Sequence, residues 1–171
     1  MSLSSARPLD PWRWLVAPLL LALIASVLFA APIRVFGLHL PEPVFALAPA
    51  FAWAVIRPAV LAPFLVLLMG LALDLFWGGP MGLWALSLLV AYGATLFSRS
   101  MMTGQSPVMM FVWYAVICAL AMATGYLVTM LDALAAPSLL AVLWQYLATI
   151  VLFPFAYRLI DRFEDADVRF R

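Results

Sequence analysis

The sequence predicts an all-α membrane protein with six transmembrane helices, and three observations lead there. First, 68% of its 171 residues are apolar and only 10% are charged, against roughly 45–50% and about 25% in a soluble domain. A water-soluble surface on a chain of this size needs many more charges, so the apolar excess must face lipid. Second, the apolar residues fall into six runs separated by turn chemistry at Arg57-Pro58, Gly78-Gly79-Pro80, Gly104 to Pro107, and Pro137. Third, arginine collects on one side of a six-span chain. The inner face receives Arg7, Arg13, Arg57, Arg99, Arg158, Arg162, Arg169 and Arg171, and the outer face Arg34 alone. Cytoplasmic flanks of membrane spans show this enrichment.

The first run, Trp14 to Ala31, is entered from Trp12-Arg13-Trp14. It meets the length of a span, about 20 residues or roughly 17 at the short end. That length, with Pro32 directly after Ala30-Ala31, favours an uncleaved span over a signal peptide. The second run, Val44 to Ile56, follows Pro41-Glu42-Pro43 and has only 13 residues. Alone it could be re-entrant or interfacial. Five spans, however, would carry either Arg7 and Arg13 or the arginine-rich tail across the membrane, so it is read as a span. The remaining spans run from Ala59 to Trp77, Met81 to Phe97, Val108 to Leu131, and Ser138 to Tyr157. A short charged tail, 158–171, follows. The expectation is a single polytopic domain over 1–171 with both ends cytoplasmic. Trp12 and Trp14 at the inner edge, and Trp77 and Trp84 beside an outer turn, suit the headgroup levels.

Several function classes are excluded. A net charge of +1 leaves no basic patch for nucleic acid. Lysine is absent, which removes Schiff-base chemistry and the phosphate-loop lysine. Cys118 is the single cysteine and His39 the single histidine, so no disulfide framework or multi-histidine metal site is expected. No catalytic constellation appears: no acid pair set for acid–base work, no histidine beside a nucleophile, and no glycine-rich phosphate loop after a strand. Nor are there repeated halves with matching broken helices, as in many transporters. A non-enzymatic membrane subunit without cofactor or metal is the expectation.

Asp74 is the one ionisable residue well inside a span. It stands four residues before Gly78, about one turn below the outer end. A carboxylate there is costly in lipid and calls for a partner. Its place near a helix C-terminus adds an unfavourable dipole. Compensation could come from Arg34 or His39 in the first outer loop, from backbone N–H groups of the Gly78-Gly79 turn, or from protonation. Gly70, one turn earlier on the same face, permits close helix approach. Asp74 reads either as a substrate or proton site or as a tie that organises the outer turn. One acid without a second nearby makes a poor relay, which favours the tie.

Ala22, Ser26 and Ala30 share one face of the first span and form a candidate partner interface. Cys118, Ala121, Gly125 and Thr129 make a similar stripe on the fifth span, read as internal packing. In the tail, Ile160 and Phe163 could receive a cytoplasmic partner.

The stretch Gly70-Leu-Ala-Leu-Asp74-Leu-Phe-Trp-Gly78-Gly-Pro-Met-Gly82 resembles the signature of the MreD family of rod-shape-determining inner-membrane proteins. It shares the glycine, the aspartate four later, and the further glycines four and eight beyond it. Pro43 opening an apolar run that ends at Arg57-Pro58 is also similar. The motif resemblance covers roughly residues 40–100, and elsewhere it rests on hydropathy. It implies Gly70, Asp74, Gly78, Gly79 and Gly82 as the motif residues, and a role in bacterial cell-wall elongation that helps control peptidoglycan synthesis and cell shape. The implied partner is MreC, within a complex holding actin-like MreB, the glycosyltransferase RodA and a penicillin-binding transpeptidase. Membrane lipid and a homo-oligomer complete the expected partners. The implied fold resembles the six-helix substrate-binding subunits of energy-coupling-factor vitamin transporters. A solute-binding subunit of that type is therefore the alternative. It would need convergent polar residues, for which Asp74, Thr124, Thr129 and Gln145 are the candidates.

Overall fold

The computed structural model describes residues 12–29, 34–35, 38–39, 42–56 and 59–168. A π-helical turn, Trp12–Val16, leads into α1 (Ala17–Phe29). β1 (Arg34–Val35) and β2 (Leu38–His39) then pair antiparallel, with Arg34 opposite His39 and Val35 opposite Leu38. Six further helices follow: α2 (Leu47–Ile56), α3 (Ala62–Trp77), α4 (Leu83–Met102), α5 (Pro107–Ala133), α6 (Leu139–Ile150) and α7 (Phe153–Val168). Apart from its turns and one short ladder, the described chain is thus helical.

The helix ends follow from local chemistry. Gly78 closes α3 in the left-handed conformation at φ 65°, and its N–H donates to the Asp74 carbonyl. The Ser106 hydroxyl caps α5 by accepting the Met109 N–H, and Pro107 fills the first position, where a missing donor costs nothing. Ser138 caps α6 in the same way through the Ala141 N–H.

Three segments are long and apolar enough to cross a membrane: Leu83–Met102, Pro107–Ala133 and Leu139–Arg162. The last runs through both α6 and α7. Trp14–Phe29, Leu47–Ile56 and Ala62–Trp77 are apolar but shorter.

The second apolar run departs most from expectation. Its helix, α2, has ten residues and rises about 15 Å, half of a hydrocarbon layer of about 30 Å. Every residue of α2 except Val55 is buried. It faces its own chain rather than lipid, and α4 and α7 pack along it. Its own Phe51 and Trp53 are nearly inaccessible, as are Leu88 of α4, Tyr114 of α5 and Ile160 of α7. An evenly apolar run looks the same in sequence whether lipid or protein surrounds it.

Long-range hydrogen bonds give the helices their directions. The Trp53 indole donates to the Trp14 carbonyl at 2.8 Å, which brings the end of α2 to the start of the first helix. Arg99 near the end of α4 donates from Nε to the Val55 carbonyl at 2.8 Å and from Nη2 to the Ile56 carbonyl at 3.0 Å. The ends of α2 and α4 therefore lie together. The Val44 N–H, just before α2, donates to the Thr149 hydroxyl at 3.0 Å. From that junction α2 and α7 run side by side in the same direction. One end of the bundle thus gathers the start of the first helix, the ends of α2 and α4, and the far end of α7. The α3–α4 turn lies at the other.

Candidate functional site: the Asp74 hairpin

α3 and α4 form an antiparallel pair joined by Gly78 to Gly82. α4 starts without a capping side chain of its own, because Gly82 occupies its N-cap at φ 96°. Asp74 supplies the cap from the preceding helix. Its Oδ1 accepts the Trp84 N–H at 2.8 Å, and its Oδ2 accepts the Gly82 N–H at 2.9 Å, with the Ala85 N–H farther out at 3.5 Å. These are orphan donors of a first helical turn, the groups that an aspartate N-cap normally satisfies. The positive end of the α4 dipole now faces the carboxylate and offsets its unfavourable place near the end of α3. With 1% of its surface accessible, Asp74 is sealed inside the hairpin.

The glycines have separate tasks. A Cβ on Gly70 would fall within contact distance of the Ala85 Cα and N and lie 2.8 Å from the Trp84 carbonyl carbon. The absent side chain lets the α3 and α4 backbones touch, and that contact brings Asp74 within reach of the α4 amides. Gly78 and Gly82 both adopt positive φ, which L side chains enter at a cost of about 1–2 kcal/mol. Gly79 has open space around it and an ordinary φ; nothing in the structure requires glycine there. On the far side of α4, a Cβ on Gly125 would sit 3.3 Å from the Ser87 hydroxyl oxygen, so the α5 stripe does pack inward, with Cys118 and Ala121 also buried.

Several sequence-based expectations need correction here. The compensation for Asp74 is backbone N–H, but it comes from Gly82, Trp84 and Ala85 rather than from the Gly78-Gly79 turn. Arg34 and His39 face each other across the β1–β2 ladder, and their side chains lie outside the described residues. The Ala22–Ser26 ridge is not a surface for a partner. Both residues are 3% accessible, and the Ser26 hydroxyl donates to the Ala22 carbonyl at 2.8 Å. α1 packs on α3 and α2, so small residues serve close approach within the chain. Ala30 lies outside the described residues. Nor are Trp14 and Trp84 simple headgroup anchors; the Trp12 side chain lies outside the described residues. Trp14 and Trp84 are buried, and Trp84 meets Trp77 edge to face at 5.2 Å. Ile160, offered as a partner contact, is buried, and the Phe163 side chain lies outside the described residues.

The threonine candidates for a solute site are engaged within their own helix. The Thr124 hydroxyl donates to the Leu120 carbonyl and the Thr129 hydroxyl to the Gly125 carbonyl, each on its own helix. Gln145 is half-buried on α6. Among the described residues, no three His, Cys, Asp or Glu side chains come together.

Two residues matter more than the sequence suggested. Arg99 entered the sequence reading only as a topology marker, yet it caps α2 through two carbonyls. Thr149 joins three elements, accepting from the Val44 N–H on its hydroxyl and from the Tyr114 hydroxyl on its carbonyl at 3.3 Å. A cation in the last turn of α4 was a visible signal for the first; nothing local marked the second.

No family model matches this chain, and no curated protein or solved structure matches it.

Proposed function

We propose that the chain is a non-enzymatic, multi-pass inner-membrane subunit of the bacterial wall-elongation complex, of the MreD type, which binds MreC through its outer surface. One observation carries this reading. The motif Gly70, Asp74, Gly78, Gly82, on which the resemblance to MreD rests, is one structural device. Gly70 sets the helix spacing, Asp74 caps α4, and Gly78 and Gly82 make the turn. A device with every carboxyl oxygen committed inside the chain suits a rigid presented hairpin. It does not suit a carboxylate that must release a proton or receive a solute.

The same reading takes the chain as six crossings with both ends cytoplasmic. Arg99 stands at the end of the bundle toward which α7 carries Arg158 and Arg162. Arg34 follows α1, which runs to the opposite end. This charge asymmetry supports an inner face at the Arg99 end. α2 makes the second crossing as a buried half-length helix, with residues 42–46 leading into it.

The test is co-purification. Tagged protein from membranes co-expressing MreC and, separately, an energy-coupling module should recover MreC and leave the coupling module behind. Recovery of the coupling module with no MreC would replace this reading with the solute-binding one.

A further inference from the structure

The last apolar segment is built in two unequal limbs. Only 11% of its membrane-length window is buried, against 39% for the two other long segments. Within α6, Thr149 alone is buried, and α5 is the helix against which α6 mainly packs. α7 by contrast buries Ala156 and Ile160 and lies along α2.

Between the limbs the helix breaks. α6 ends at Ile150 and α7 begins at Phe153. Here the Leu152 N–H reaches back to the Thr149 carbonyl and the Phe155 N–H to the Leu152 carbonyl, both at 3.0 Å. These bonds span three residues instead of four. Pro154 has no N–H for the Ile150 carbonyl, so the four-residue ladder is cut at this point. The pivot itself is fastened, because Thr149 is tied to Val44 and Tyr114. A tethered pivot thus separates a well-packed inner limb from an outer limb held mainly on one side. Segments with few buried contacts open at the least free-energy cost.

We propose that α6 is a hinged arm. Residues 139–148 swing as a unit about Thr149–Leu152, away from α5, while α7 stays docked on α2. The half-buried Gln145 and Tyr146 lie on the same side of α6 as buried Thr149, so the swing opens a polar-lined lateral gap toward the outer half of the bundle. The device rests on the membrane-embedded placement of α6 and not on the identity of any partner.

The test uses spin-label pairs on the full chain in lipid nanodiscs, in a Cys118→Ala background. One pair, Met81→Cys with Leu140→Cys, reads the outer limb. The other, Met81→Cys with Arg158→Cys, reads the inner limb. All three label positions are exposed. The outer-limb pair should show a distance distribution about twofold broader than the inner-limb pair, and Pro154→Leu should narrow it by restoring the missing N–H. Equal widths, or equal broadening of both pairs, would overturn the hinge. A broad outer-limb pair unmoved by Pro154→Leu would overturn its location. Hydrogen exchange on the unsubstituted protein guards against a misfolded variant: amides of 139–148 should exchange faster than those of 153–160, and equal protection would count against the arm.

Discussion

The Trp84 N–H donates to Asp74 Oδ1 at 2.8 Å across a separation of ten residues, so the cap of α4 is borrowed from α3. The start of one helix and the end of the preceding one become a single unit. Breaking that unit has consequences at Gly70 and at Asp74 itself.

Gly70→Ala should be strongly destabilising. The added methyl meets backbone of Ala85 and Trp84, which cannot rotate away, and overpacking of this kind costs about 1–3 kcal/mol. Gly93 lies on the exposed side of the same α4 with nothing near it, so Gly93→Ala should be neutral or slightly stabilising. Thermal unfolding in detergent compares the two. Equal midpoints would mean that α3 and α4 do not touch at Gly70.

Arg99→Lys should loosen the C-terminal end of α2. Arginine serves the Val55 and Ile56 carbonyls from two nitrogens, and a lysine cannot reproduce that fork. Faster hydrogen exchange in the last turn of α2, with the outer hairpin unchanged, is the expected result. A global loss of protection would show that Arg99 holds more than α2.

Some of this was legible beforehand. The spacing of Gly70, Asp74 and Gly78 marks one helix face and its end, and an acid inside an apolar run announces a partner. The partner itself was hidden. Its donors are backbone amides eight to eleven residues on, and any residue type carries those. The Ala22–Ser26 ridge misled because small residues permit close packing whether the neighbour is foreign or the chain's own. α2 misled for a related reason: an apolar run carries no mark of which solvent surrounds it, lipid or protein. Thr149 was invisible because its role depends on Val44 and Tyr114, both remote in sequence.

The proposed topology has its own test. A reporter after Arg171 should read cytoplasm, and one inserted at Gly79 should read periplasm. Periplasm at Arg171 with cytoplasm at Gly79 would mean either a reversed chain or a second run that does not cross. A periplasmic reading at both Arg171 and Gly79 would mean an even number of crossings between them instead of three.

Asp74 tests the central claim, that this carboxylate caps α4 and so builds the outer hairpin that MreC reads. The measurement is the unfolding midpoint of Asp74→Asn and Asp74→Leu, read beside MreC capture from the same membranes. Both oxygens of Asp74 accept N–H groups. Asparagine keeps one acceptor and turns a donor toward the other amide, and leucine keeps none. Each buried amide left unpaired costs about 1–3 kcal/mol. The account predicts an intermediate loss of stability and of MreC capture for Asn, and a larger loss of both for Leu. Wild-type stability and full MreC capture with Leu at position 74 would contradict it.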